Sequence, residues 1–423
     1  GDGSDAIPSQ GAITVGATSS LSSTGGSITP FGTSQATTTV GADTTATGID
    51  GGEGGDSIAN LDTIDVTASS NVTQHNSSFT FGGTGATGGS LAATAQAIGI
   101  SGGDGADDVR SESAITVNAT STLSSTGGST TPFGTSQAGA TVGANTTATG
   151  IDGSAGDDAV MSLDAIDVTA GSPVTLGGTS FRLGGTGNAS SALEASSQAT
   201  GIAGGAGQDQ IQNLGAISVT ATSDLDSQSG SNVGFGTSDT GGSAGAMTDA
   251  VGIDGGSDGD FLNNLGTIDV TANSTVTLDG STYTFGGTGA SAGTLAATTR
   301  ATGMSGGDGA DSLRNQGNVT VQATSTLDSE GQSKASFGIS SGGAISGAVT
   351  EATGLDGGAG DNDIENLLGT VDVNTLTTVT ANKSAYTFGG SASSGAELNG
   401  AARTSGISAG DGTNSIRKDA AIS

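Results

Sequence analysis

The chain has 423 residues, of which 79 are glycine, one is histidine and none is cysteine. Only 3% are aromatic, and 41 acidic residues against 9 basic ones give a net charge of −32. This composition excludes disulfides and thiolate metal sites, and it argues against nucleic-acid binding, which needs a basic surface. No apolar run approaches the ~20 residues of a membrane-spanning helix. The acidity favours a cationic partner or a strongly hydrated surface.

From the first residues onward, the chain repeats a pattern of 51 residues. An aliphatic residue two positions after an acid or amide marks each copy. The markers are Ile7, Ile58, Val109, Val160, Ile211, Leu262, Leu313 and Ile364, and the ninth, Ile416, follows after 52 residues. So strict a period predicts a stacked architecture in which each unit contacts mainly its neighbours. We therefore expect residues 1–423 to form a single elongated β-solenoid of about eight repeats, truncated in mid-repeat at both ends.

Each copy opens with a glycine-rich segment, GGEGGDSIANL from Gly51 in the second copy, which reads as a turn followed by a short strand. The next segment alternates Ile64 and Val66 with Asp65 and Thr67, a two-residue period that predicts a half-buried strand. No segment has a capped apolar stripe of helical period. The sequence thus predicts an all-β protein, a right-handed parallel β-solenoid (β-helix), because crossovers between parallel strands are overwhelmingly right-handed.

Two further rows of equivalent residues support stacking. The first is an inward-facing polar row at which an amide can bond to the next copy. It comprises Asn60, Asn213, Asn264, Asn315 and Asn366, with Ser9, Ser111 and Ser162 in other copies. The second is a large apolar row, which we expect to lie in the core. It comprises Phe31, Phe81, Phe133, Leu183, Phe235, Phe285, Phe337 and Phe388.

Alternate copies differ, so the full period is 102 residues. The residue between the two strand aliphatics is a hydroxyl in odd copies and aspartate in even ones, from Thr14 and Asp65 onward. This alternation separates carboxylates that would otherwise repel one another in adjacent coils. Each copy could form one wide coil or two narrow ones. A second glycine cluster in even copies, FGGTGATGG from Phe81, favours two, and an extra residue near Leu367 and Leu368 predicts a bulge.

The glycine-rich segment resembles the nonapeptide G-G-x-G-x-D-x-U-x of the repeats-in-toxin (RTX) family, in which U is a large aliphatic residue. Complete matches are GGEGGDSIA from Gly51, GGDGADDVR from Gly102, GGAGQDQIQ from Gly204 and GGDGADSLR from Gly306. GSAGDDAVM from Gly153 and GGSDGDFLN from Gly255 each lack one glycine, and Asn362 and Asn414 replace the acid in the last two copies.

The resemblance implies that the aspartates and turn carbonyls bind Ca²⁺, a cation that prefers hard oxygen ligands. The implied metal ligands are Asp5, Asp56, Asp107, Asp158, Asp209, Asp260 and Asp311. Family members run these nonapeptides in tandem, whereas here one occurs per 51 residues. The alternative interpretation is a tight turn closed by an aspartate hydrogen bond, without any ion.

Three functions compete. The favoured one is a structural or adhesive extracellular protein, part of a bacterial surface fibre, stalk or matrix. We expect it to assemble with itself end to end or laterally, with cell-surface or matrix polysaccharide as a second candidate partner. The second is a carbohydrate-active β-helix enzyme, which needs acids and bases clustered on a few coils, whereas the nine bases are scattered. The third is an ice-binding solenoid, whose flat threonine array the alternating aspartates interrupt. We expect no catalytic site.

Overall fold

The computed structural model describes residues 1 and 3–423, and every regular element within them is a β-strand. In that part of the chain no helix has the length and apolar character needed to span a membrane. The strands form two parallel sheets, one of short strands and one of long strands. The predicted all-β class and the parallel β-solenoid are therefore confirmed.

The short strands form a nine-stranded sheet. They are β1 (Ala6–Ser9), β3 (Ser57–Asn60), β5 (Asp108–Ser111), β9 (Ala159–Ser162), β11 (Gln210–Asn213), β13 (Phe261–Asn264), β15 (Ser312–Asn315), β17 (Asp363–Asn366) and β19 (Ser415–Lys418). The long strands form the other sheet. They are β2 (Ile13–Asp50), β4 (Ile64–Asp104), β6 (Ile115–Thr130), β7 (Phe133–Ala138), β8 (Thr141–Ala155), β10 (Ile166–Ala206), β12 (Ala216–Ser257), β14 (Thr267–Ser305), β16 (Val319–Asp356), β18 (Thr370–Ser408) and β20 (Ala421–Ile422).

Each 51-residue repeat forms one wide coil. Ile7 pairs with Ile58 in the short sheet, and Ile64 pairs with Ile115 in the long one, so partners lie one full repeat apart. The expectation of two narrow coils per repeat is therefore wrong. The second glycine cluster does reverse the chain, but it does so within one coil, where the long strand bends at Gly83 (φ 128°).

The long strand folds back on itself, so that its outgoing and returning halves face each other across the interior. Ser70 Oγ donates to the Thr94 carbonyl (2.6 Å), and further along Asn76 Nδ2 donates to the Gly88 carbonyl (2.6 Å). One end of this flattened coil holds the glycine turn and the short strand. The other end is the bend around Gly83, which we name the tip.

The interior is apolar near the glycine turn and polar toward the tip. Ile58, Ile64 and Val66 are at most 1% exposed, and their equivalents form continuous inward rows, as predicted. A second apolar cluster around Val72 and Leu91 follows. Beyond it the inward side chains are mainly hydroxyls and amides, which bond between coils.

Two local predictions need correction. The phenylalanine row, expected in the core, lies outside at the tip, where its members are 45–76% exposed. The extra residue of the eighth copy lies in the connection between β17 and β18, not in a ladder as a bulge. Leu368 is 61% exposed there, and pairing resumes with a 52-residue offset at Val319 and Val371.

Candidate functional site

The glycine turns stack directly on one another, because each coil contributes one. Their second glycine has a left-handed backbone, with φ of 100° at Gly52 and 101° at Gly103. Ser154 (φ 80°) and Asp258 (φ 75°) stand where two copies lack a turn glycine, and both keep the left-handed conformation. The turn geometry is thus imposed by the stack even where the residue type disfavours it.

The aspartates implied as metal ligands form one continuous buried row along this edge. Asp56, Asp107, Asp158, Asp209, Asp260 and Asp311 are each 1–3% exposed. The Oδ1 atom of each accepts the backbone N–H of the equivalent residue in the preceding coil, as from Asp107 to Asp158 at 2.8 Å. Asp5 begins the row and donates its N–H to Asp56 (2.7 Å), but its own side chain is half exposed and lies 3.5 Å from the terminal amino group. We call these residues the aspartate row.

The second carboxylate oxygen behaves differently. In all six buried members of the aspartate row, Oδ2 is inaccessible to solvent and has no hydrogen-bond donor. It lies beside the first glycine of its own turn and the backbone carbonyl of the next coil. A methyl group placed on Gly306 would be 2.6 Å from Asp311 Oδ2 and 2.6 Å from the Gly357 carbonyl oxygen. Since a carbonyl oxygen cannot donate, an ionised carboxylate would carry an unsatisfied buried charge there.

The eighth coil shows which group satisfies this position. Asn362 continues the row, with Oδ1 accepting the Asp311 N–H at 2.9 Å. Its Nδ2 occupies the place of Oδ2 and donates to the Ala409 carbonyl at 3.2 Å. A protonated aspartic acid has the same pattern, one acceptor and one donor, so it too would bond to both neighbouring coils.

Burial raises the pKa of these acids. The pKa of Asp158 and of Asp260 rises to about 7, chiefly because burial disfavours the charged form, and the carboxylates of adjacent coils raise it further. The bond from the preceding backbone N–H offsets part of the rise. The pKa values of Asp107, Asp209 and Asp311 are also raised, again mainly by burial.

A cation is the other way to satisfy Oδ2. Because each repeat is one coil, successive aspartates lie one strand spacing apart, about 4.8 Å, and each has a backbone carbonyl beside it. Oxygen donors of this kind suit Ca²⁺, which takes six to eight of them. Within residues 1 and 3–423, however, no group of three or more acidic or histidine side chains converges on one point. Each ion would rest on one or two carboxylates supplemented by carbonyls.

The predicted asparagine row also forms, and it is structural. Asn213 Nδ2 donates to Asn264 Oδ1 at 2.8 Å, and Asn264 repeats the bond to Asn315 at 2.8 Å and Asn315 to Asn366 at 2.9 Å. Their side chains are fully buried. These bonds connect successive coils at the corner after each short strand.

The exposed phenylalanines form a zigzag along the tip. Phe31, Phe81 and Phe133 contact edge to face with centroids 5.8 and 5.7 Å apart, and the row resumes from Phe235 to Phe388 at 5.4–5.9 Å. Phe31 pairs with Gly82 rather than with Phe81, so rings of odd and even coils are offset by one residue. A methyl group on Gly82 would lie 3.3 Å from the Phe31 ring, so glycine leaves room for it. The offset gives the 102-residue period a structural cause.

Arg182 was not anticipated from the sequence. It is fully buried inside the tip of the fourth coil, where Nη2 donates to the Gly184 carbonyl (2.9 Å) while Nε and Nη1 have no acceptor. Burial lowers its pKa to about 10. The adjacent Leu183 interrupts the phenylalanine row. The only sequence signal was an arginine at a position that is Thr131 and Val233 in neighbouring coils.

Comparisons of the chain with protein-family models, curated proteins and solved structures found no significant match. Function is therefore inferred from the geometry of this molecule.

Proposed function

We propose that the chain is a structural segment of an extracellular fibre, stalk or matrix at a bacterial surface. The observation that carries the proposal is the parallel stacking of eight coils, each paired with its neighbours along nearly the whole of its long strand. The long strands β12 and β14, for example, each pair on both sides with the equivalent strands of the adjacent coils. The backbone groups on both flanks of a coil can thus each accept a further strand. Another coil, from the same polypeptide or from a second copy, can therefore continue each sheet.

Four of the nine basic side chains support a structural role, because they form ion pairs between coils. Glu351 binds Arg300 of the preceding coil (3.2 Å) and Arg403 of the following one (2.7 Å). Glu365 lies in the same way between Arg314 (3.8 Å) and Arg417 (3.7 Å). Pairing bases and acids across coils in this way stabilises the stack, whereas a glycosidase needs two carboxyl groups flanking one open site.

Electron microscopy of the purified protein in negative stain tests this function. Stacks that grow along the coil axis with protein concentration are expected. Particles that stay one molecule tall at every concentration, or measurable hydrolysis of polysaccharides, would contradict it. Thermal hysteresis in freezing solutions would favour the ice-binding alternative.

We further propose that Ca²⁺ stabilises the stack through the aspartate row, on the strength of the unpartnered Oδ2 atoms. Since a ligand that binds only the folded state raises its stability, chelation should lower the melting temperature and millimolar Ca²⁺ should restore it. Mg²⁺ should substitute poorly because it requires tighter octahedral geometry. Asp107→Asn and Asp209→Asn should weaken the calcium response more than Asp65→Asn, which removes an exposed acid. A melting temperature indifferent to chelator would leave these residues as turn formers.

A further inference from the structure

The tip carries no acid in any repeat. The six tip residues of each coil run from Ile28 to Thr33 in the first coil, and none of the equivalent residues in the other seven coils is Asp or Glu. Lys334 is the only exposed charged residue among them. In a chain of net charge −32, an acid-free surface of this length is a place where a like-charged molecule can approach with little repulsion.

This surface is also strongly apolar. Besides the phenylalanine row, a second outward row lies two or three residues earlier and carries Ile28, Phe79, Phe181, Tyr283 and Tyr386, which are 40–79% exposed. Together we call these two rows the aromatic edge. It runs across all eight coils, about 35 Å at one strand spacing per coil. Monomeric soluble proteins rarely expose an apolar surface of this extent without a partner for it.

From these observations we infer that the aromatic edge is a lateral interface on which a second copy of this chain docks, edge against edge. A second copy presents side chains at the same spacing of one per coil, so contacts can repeat along the whole edge. It also presents the same acid-free surface, so that no carboxylate need be desolvated. The inference deepens the proposed function, because it gives the structural segment a way to associate sideways as well as along its axis.

The area is sufficient for a stable pair. Large apolar side chains carry about 150–250 Å² each, and the eight members of the phenylalanine row are on average more than half exposed. They alone present on the order of 800 Å² per copy, which matches the contribution of each partner to a standard stable interface. Their mutual edge-to-face contacts hold the rings in place before docking, so little side-chain freedom is lost on association.

The test uses sedimentation velocity of the purified chain over a range of concentrations. At concentrations below those at which axial stacks form, the wild-type protein should sediment at twice the monomer mass of 39.6 kDa. The triple variant Phe81→Thr, Phe133→Thr, Phe285→Thr should sediment at the monomer mass, a two-fold loss. Threonine already occupies an outward tip position at Thr130, so it is compatible with the fold there. Unchanged circular dichroism confirms folding.

The matched control replaces three leucines at the opposite end of the coil, Leu163→Thr, Leu214→Thr and Leu265→Thr. They are 36–42% exposed and stand one per coil, as the phenylalanines do. The control should pair as the wild type does. A monomeric wild-type protein, or equal loss of pairing in both variants, overturns the inference. Electron microscopy separates the two proposals. Particles that lengthen along the coil axis but keep the width of one molecule support axial stacking and contradict the lateral interface. Particles of double width that do not lengthen support the lateral interface and contradict axial stacking.

Discussion

Replacing Asp158 by Asn should stabilise the protein at neutral pH. The substitution reproduces within the aspartate row what the eighth coil already has, an amide whose Nδ2 donates to the carbonyl of the next coil. For Asp158 that carbonyl belongs to Gly204, since a methyl group on Gly153 would contact both Gly204 O and Asp158 Oδ2. The variant therefore keeps the hydrogen bond that Oδ1 accepts, adds the one that Nδ2 donates and removes the buried charge.

The magnitude follows from the pKa. Burial raises the pKa of Asp158 from 3.8 to about 7. Each pKa unit corresponds to about 1.4 kcal/mol, so keeping this acid folded at pH 7.5 costs up to about 4 kcal/mol. Water and backbone adjustment relieve some of that cost. We therefore expect Asp158→Asn to raise the free energy of unfolding by about 2–4 kcal/mol at pH 7.5. Asp167→Asn, which removes an exposed charge from the same coil, should change stability by less than about 0.5 kcal/mol.

The pH dependence has a definite sign. Because the folded state holds the proton more tightly than the unfolded state, the stability that Asp158 contributes is complete below about pH 4. It is lost as the pH rises through about 7. The stability advantage of Asp158→Asn should thus be near zero at pH 4 and grow by up to about 1.4 kcal/mol per pH unit until pH 7. Urea denaturation in the presence of a chelator, at several pH values, measures it.

The reasoning is refuted if Asp158→Asn is less stable than the wild type at pH 7.5, or if its advantage does not change with pH. Repeating the series in millimolar Ca²⁺ shows whether a proton or Ca²⁺ binds to Asp158 Oδ2 in the folded protein. If a proton satisfies this oxygen, the advantage persists in Ca²⁺. If Ca²⁺ does, the wild type gains stability that the variant lacks, and the order reverses.

Three further experiments test other parts of the molecule. Val117→Asp places an unpaired charge at a fully buried position and should lower the free energy of unfolding by several kcal/mol. Thr116→Asp lies on the outer face between Asp65 and Asp167, and should lower it by less than about 1 kcal/mol. Equal shifts in melting temperature would disprove the assignment of these residues to the inner and outer faces. Ser154→Gly should raise the free energy of unfolding by about 1 kcal/mol, because it removes a side chain from a left-handed position. Gly205→Ser should lower the melting temperature, because its side chain would collide with the Ser154 carbonyl. Arg182→Thr removes buried unpaired donors and should raise the free energy of unfolding, measured by chemical denaturation, by on the order of 1–3 kcal/mol. A lower free energy of unfolding would mean that the guanidinium has a partner.

Repetition made most of the fold predictable. The alternation around Val66 and the fixed spacing of Ile58 and its equivalents determine which residues face inward, and the structure places both in the core. The candidate aspartates could likewise be located, since the turn motif places them two residues before a buried aliphatic. Their burial and the orphaned Oδ2 atoms could not be predicted, because they depend on how closely one coil lies upon the next.

Two of the three incorrect expectations, the second coil and the buried phenylalanine row, concern the tip. A glycine cluster shows that the chain turns, but not whether it starts a new coil or closes the same one, and this led to the expectation of two coils. An apolar residue was then assumed to be buried. In even copies the spacing held a contrary signal: Phe81 follows Val66 by an odd number of residues, so in a continuous strand it must face outward. Burial of Thr80 and exposure of Phe79 and Phe81 confirm that parity.

The offset between phenylalanines of odd and even coils limits how such a chain can change its length. Adding or deleting one 51-residue unit would bring two rings into the same register at the junction, where a phenylalanine would face a phenylalanine instead of the glycine that makes room for it. Adding or deleting 102 residues would leave every ring opposite a glycine. Recombination between repeats of the gene should therefore be tolerated in pairs of coils, and variants of different length should differ by even numbers of repeats.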